Sequence, residues 1–126
     1  MYDHIARKLA SRETIILDGG TGTDIQRRGI PMSAETWCAD VNLSHPGVVR
    51  DVHLDYIAAG AEIIIANTFA TSALLFNALG RDEDMINIDR IAVGIAKEAA
   101  AGKQVAVAGS MSTMRPVVPG SDRTSR

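Results

Sequence analysis

Three short apolar runs, Thr14-Ile15-Ile16-Leu17, Ile63-Ile64-Ile65-Ala66 and Val105-Ala106-Val107-Ala108, break a chain otherwise patterned for helices. Each run is apolar almost throughout, the signature of a parallel strand covered on both sheet faces. Each also stops at small polar groups. The first ends in Asp18 and the glycine turn Gly19-Gly20-Thr21-Gly22, the second in Asn67-Thr68-Phe69, and the third in Gly109-Ser110. The carboxyl ends of strands are where ligands bind in α/β folds, so three such ends suggest one shared site.

Between the runs the spacing predicts helices. Residues 3–10 form a short polar one, and residues 21–28 another that stops at Gly29, with Pro31 enforcing the stop. Ser44-His45-Pro46 opens the clearest helix: Ser44 is placed to cap free N–H groups, and proline is tolerated in a first turn. Val48, Val52, Tyr56 and Ala59 mark its expected apolar face, and Gly60 its end. Residues 72–79 predict a short helix closed by Gly80. Residues 84–101 predict a longer one with Ile88, Ile91, Ile95 and Ala99 buried and Gly102 beyond it. Residues 32–43 connect, with Trp37 and Cys38 the expected buried points, and residues 111–126, with Pro116 and Pro119, predict a loop or disordered tail.

This order predicts an α/β fold of about three parallel strands with helices. A full (β/α)8 barrel of such units needs about 250 residues. Residues 1–110 therefore correspond to the N-terminal part of a TIM barrel, with two open sheet edges and a half-covered inner face. Such edges invite self-association or pairing with a missing C-terminal part.

Composition narrows the classes. The 126 residues are 46% hydrophobic and 22% charged, with a net charge of −2. No basic stripe marks a nucleic-acid face, and Arg27-Arg28 sits where cations favour a helix end. No apolar run approaches the roughly 20 residues that span a bilayer, and the first residues lack the apolar stretch of a signal peptide. A single cysteine, Cys38, permits no intrachain disulfide, which makes the cytoplasm the expected compartment.

The glycine turn is not a phosphate loop. After Gly20 and Gly22 the dinucleotide pattern would need glycine where Ile25 stands, the Gly-Lys-Ser/Thr ending of a P-loop is missing, and Asp18 would repel a phosphate. Glycines that admit backbone N–H groups beside a carboxylate suit a ligand carrying both carboxylate and ammonium, an amino acid. Asp18 is equally a residue type that caps turns, and Asn67 and Thr68 are types that often satisfy local backbone groups.

Three ordered stretches resemble the homocysteine S-methyltransferase family, which includes the homocysteine domain of methionine synthase and the betaine-dependent enzymes. They are Leu17-Asp18-Gly19-Gly20-Thr21-Gly22-Thr23, then His45-Pro46 leading through His53 to Tyr56-Ile57-Ala58-Ala59-Gly60-Ala61, and Ile64-Ile65-Ala66-Asn67-Thr68-Phe69, followed by Val107-Ala108-Gly109-Ser110. The resemblance implies a (β/α)8 barrel that methylates the homocysteine thiol to give methionine. It implies that Asp18, Gly19, Gly20 and Thr21 hold the amino-acid end of homocysteine, with Asn67, Thr68 and Phe69 nearby. It also implies zinc, held by three cysteines of later strands and serving to make the sulfur a thiolate. Those cysteines are absent here. Cys38 matches no zinc motif and is expected to be a buried structural residue. His45 and His53, about 12 Å apart along one helix, are too far apart to share an ion. The expectation is a homocysteine S-methyltransferase fragment with amino-acid-binding groups and no metal centre, inactive alone. The alternative is a non-catalytic binding or assembly fragment that pairs with another chain. The methyl donor is not legible.

Overall fold

The computed structural model describes residues 2–116. The elements are α1 (Asp3–Ala10), α2 (Thr21–Arg27), α3 (Val41–Ser44), α4 (Pro46–Ala58), β1 (Ile63–Ile65), α5 (Ala73–Ala78), α6 (Asp82–Ala100) and β2 (Ala106–Ala108). The last ten residues of the expected tail, 117–126, lie outside the described residues. Residues 111–116 form neither helix nor strand, yet Met114 packs against the main core.

The strands β1 and β2 are parallel and in register, Ile63 beside Ala106 and Ile65 beside Ala108. The expected first strand is reduced to a single parallel bridge between Leu17 and Ile63. Two carboxylates explain the reduction. The Ile16 N–H donates to Glu62 Oε2 at 3.1 Å, and the Ile65 N–H donates to Asp18 Oδ2 at 2.7 Å. Between them the backbone pairs normally, Asp18 N–H to Ile63 O at 3.0 Å and Glu62 N–H to Ile16 O at 2.8 Å. Side chains thus take ladder positions that main-chain carbonyls would hold, and the regular strand is cut to one residue pair. Nor is this run covered on both faces as expected: Ile16 and Leu17 are 50% and 55% exposed.

The helices sit largely where the spacing placed them. Pro46 occupies the first turn of α4, but Ser44 does not cap it. His45 stands at the cap position, and the Ser44 hydroxyl donates back to Asp40 O, because residues 41–44 form a helical turn of their own. The buried residues of α4 are Val49, Val52 and His53. Of the expected face of Val48, Val52, Tyr56 and Ala59, Val52 is buried, Tyr56 packs partly buried against both cores, Val48 is half-buried and Ala59 is exposed. The longer helix α6 starts two residues earlier than expected, with Asp82, Glu83 and Asp84 in its first turn and Lys97 in its last, both favourable to the helix dipole. Gly60 and Gly102, at φ 106° and 71°, turn α4 and α6 toward the strands that follow, a conformation that costs side-chain-bearing residues more.

Two cores result. In the larger, Ile25, Val49, Val52, Leu75, Phe76 and Ile88 are fully buried where α2, α4, α5 and α6 meet. Each such side chain contributes about 1.5–3 kcal/mol of transfer free energy. In the smaller, Ile64 of β1 packs with Ala96 and Ala99 of α6. The small alanines let α6 lie close to the sheet. Helices on one side therefore hold the strand ends, and with them Asp18 and Asn67, in a fixed relation.

Candidate functional site

The strand ends open on a cavity of about 310 Å³ whose lining includes Gly19 to Gly22, Trp37, Cys38, Asn67, Phe69 and Ser110. Five of the seven residues expected at the site thus reach one cavity: Gly19, Gly20, Thr21, Asn67 and Phe69. The other two, Asp18 and Thr68, do not line it.

Asp18 divides its carboxylate. Its Oδ2 accepts the Ile65 N–H, while Oδ1 is buried with no hydrogen-bond partner. Burial pushes the carboxyl above its usual range, against the downward pull of the Ile65 and Asp18 N–H groups. A buried acceptor without a donor costs free energy, so this oxygen is suited to an incoming cation. The carboxylate therefore serves the backbone with one oxygen and leaves the other without a partner.

The glycines meet side chains that the sequence did not connect to them. A Cβ on Gly19 would stand 2.9 Å from the Tyr56 hydroxyl, and one on Gly22 would stand 2.8 Å from Trp37 Cη2 and 3.0 Å from Cys38 Sγ. A side chain at either position would have to displace Tyr56 or Trp37. Tyr56 has its hydroxyl pKa raised, first by burial and then by Asp24 and Asp18. No local signal could have paired Tyr56 with Gly19, since it read only as a member of a helix face.

Asn67 is buried and its amide is committed. Its Nδ2 donates to Cys38 O at 3.1 Å and to Asn42 Oδ1 at 3.2 Å, and its Oδ1 accepts from Cys38 Sγ at 3.2 Å. Asn42 in turn donates to Asn67 O at 3.0 Å. Thr68 is similarly occupied: its hydroxyl donates to Ser110 O at 2.8 Å and accepts from Ser110 N–H at 2.9 Å, binding the end of β1 to the end of β2. These two residues build the wall. Phe69 is 48% exposed and meets the Trp37 ring edge-on, at 6.4 Å and 87°. The aromatic pair also borders a wider neighbouring cavity of about 920 Å³ that takes in Glu35 and Met111.

The donors present do not make a zinc site. Cys38 is buried as expected, its thiol pushed up to about 11 by burial, and it is engaged with Asn67. His4 lies on α1, His45 is exposed at the start of α4, and His53 is wholly buried in α4. Among the described residues no three His, Cys, Asp or Glu side chains are grouped to hold an ion. No helix among them is long and apolar enough to cross a membrane.

A family model described as homocysteine S-methyltransferase matches residues 15–123. A selenocysteine methyltransferase of Astragalus bisulcatus is 40% identical over 85 residues, covering 67% of this chain and 25% of that protein. A homocysteine S-methyltransferase of Escherichia coli (strain K12) is 35% identical over 75 residues, 60% of this chain and 24% of that protein. The crystal structure of the homocysteine methyltransferase MmuM from Escherichia coli, in its metallated form, superposes with a TM-score of 0.70 at 30% identity. That match covers 84% of this chain and 40% of the other. The chain thus spans about a quarter of the length of these curated relatives. With the glycine turn, the strand ends and the match to the family model in agreement, the chain belongs to the homocysteine S-methyltransferase family.

Proposed function

We propose that this chain supplies the amino-acid-binding part of a homocysteine S-methyltransferase, residues 1–110 being the first units of its (β/α)8 barrel. The observation that carries the reading is the buried, unpartnered Asp18 Oδ1 behind a glycine turn at a strand end. The ammonium of homocysteine would complete it. The amides of Gly19 to Thr21 would take the carboxylate, and Phe69 and Trp37 would flank the side chain.

In the reaction the acceptor sulfur forms a bond to a methyl carbon as the bond from that carbon to its donor breaks, the donor keeping the electron pair and the thiol losing its proton. This chain's share is to bind and orient the acceptor. Zinc, which the family resemblance implies for activating the thiol, finds no ligand set among these residues, so none of that share runs through it. The partners in this reading are homocysteine and a methyl donor, and neither nucleic acid nor membrane enters it. One reduced, buried cysteine suits the cytoplasm.

Calorimetric titration with L-homocysteine and with 4-mercaptobutanoate, which lacks the amine, tests the assignment. Asp18→Asn keeps an oxygen for the Ile65 N–H and removes the charge. It should weaken homocysteine binding by about 1.5–3 kcal/mol, roughly 10- to 150-fold, and leave the analogue unaffected. Because burial already disfavours the charged Asp18, the variant should melt no lower than the parent. Homocysteine binding unchanged by the substitution would return Asp18 to a purely structural role.

The exposure of Ile16 and Leu17 favours a second reading, an assembly fragment whose open edge pairs with another chain. Light scattering coupled to size exclusion decides it: self-association is expected, and a monodisperse monomer removes this reading.

A further inference from the structure

Trp37 adopts φ 50°, in the left-handed region. A bulky residue there is strained, and such strain persists only where the surroundings impose it. Here the surroundings can be named. Trp37 and Ser33 exchange backbone hydrogen bonds, both at 3.0 Å, and the Ser33 hydroxyl accepts from the N–H of Glu35 and of Thr36. On the far side the Thr36 hydroxyl donates to Asp40 Oδ2 at 2.6 Å, closing residues 36–40 around Trp37. Asp40 is in turn gripped from the residue just before α6: Arg81 Nη2 donates to Oδ1 at 2.8 Å and Nη1 to Oδ2 at 3.1 Å. Arg81 itself is fixed by Asp84 at 2.7 Å and by the face of the buried Phe76, 5.3 Å away.

We propose that Arg81 and Asp40 are positioning residues, a two-pronged clamp that holds Trp37 in its strained conformation and so sets the wall between the two cavities at the strand ends. Neither residue needs to touch a ligand. Only the planar guanidinium fork engages both carboxylate oxygens at once, so lysine cannot replace it fully. Released from Arg81, Asp40 would no longer anchor Thr36. The turn would then relax toward negative φ, moving the indole off Gly22 and Phe69. That Trp37 walls an acceptor site rests on the reading above; that Arg81 holds Trp37 does not.

The chain has one tryptophan, so its fluorescence reports on this residue alone. Emission maximum and acrylamide quenching would be measured on the full chain without ligand, beside far-ultraviolet circular dichroism, for Arg81→Gln, Arg81→Lys and Asp40→Asn. Arg28→Gln is the control, because it breaks a comparable pair to Asp24 and Asp55 elsewhere. The clamp predicts red-shifted, more quenchable emission with helical content retained for Arg81→Gln and Asp40→Asn, partial recovery for Arg81→Lys, and no shift for Arg28→Gln. Unchanged emission in Arg81→Gln, or an equal shift in Arg28→Gln, overturns it. If Arg81→Gln loses its helical signal, Arg81→Lys decides, and parental emission in that variant overturns the clamp. A separate homocysteine titration that shows no binding would overturn the acceptor site while leaving the Trp37 result standing.

Discussion

Asn67→Ala distinguishes a residue that builds the cavity from one that binds its contents. The substitution removes two donors and one acceptor from a buried cluster: Cys38 O, Asn42 Oδ1 and the Cys38 thiol all lose their partner in residue 67. Asn42 and Cys38 are 0% and 1% exposed, so water does not readily replace the lost groups. Asn42 Oδ1, left unpaired, costs about 1–3 kcal/mol. Cys38 O keeps the Val41 N–H and loses one hydrogen bond worth about 0.5–1.5 kcal/mol net; the weak thiol donor adds little, which gives about 1.5–4.5 kcal/mol in all. Domains of this size are stable by about 5–15 kcal/mol, so the loss is a large share. With a urea slope of about 1.5 kcal/mol/M, the unfolding midpoint should fall by about 1–3 M. Trp37 fluorescence and far-ultraviolet circular dichroism, followed together, measure it. Asn42→Ala should be destabilising too, and the double variant should lose less than the two singles summed, because they share one network. An Asn67→Ala protein that unfolds at the parental urea concentration would refute this account and free the amide for ligand binding.

Two further outcomes follow from the same geometry. His53 is fully buried with both ring nitrogens unpartnered, and burial lowers its pKa to about 4 from an ordinary 6.5. The ring is neutral when folded, so the unfolded state binds more protons between these values. Stability should be complete above pH 6.5 and fall by about 3 kcal/mol as the pH drops to 4. Thermal melts across that range should show the loss, and His53→Leu should remove most of it; an identical pH dependence in the variant would exclude His53 as the cause. Gly22→Ala gains up to about 1 kcal/mol of helix propensity in α2 but drives a methyl into Trp37 and Cys38, an overpacking cost of about 1–3 kcal/mol. A net loss of stability with altered Trp37 emission is expected, and a stabilised variant would show that the indole moves aside freely.

Short-range information made much of the fold legible. The helices follow from apolar residues three and four apart, from acids at one end of α6, and from glycines just past the ends of α4 and α6. All of these act within a turn or two. The strand ends were legible because a β-forming run that stops at Asp18 or Asn67 must place that residue at an edge. The site was harder to read, because the use made of each polar group depends on segments distant in the chain. From the sequence Asn67 reads as either a ligand group or a partner of local backbone, but folding brings Cys38 and Asn42 to it and consumes its hydrogen bonds. Asp18 reads as either cap or ligand, and the tertiary structure assigns one oxygen to Ile65 and leaves the other alone. Gly19 and Gly22 read as ligand-facing turns, yet Tyr56 and Trp37 fill the space their missing side chains leave. The first strand shrank to one bridge because Glu62 and Asp18 compete with carbonyls for its ladder, and His53 lost its water because α4 turned Val49 and Val52, rather than Val48, inward. Local pattern fixes where an element forms, but a polar side chain is committed only when the element packed against it arrives with a donor, an acceptor or neither.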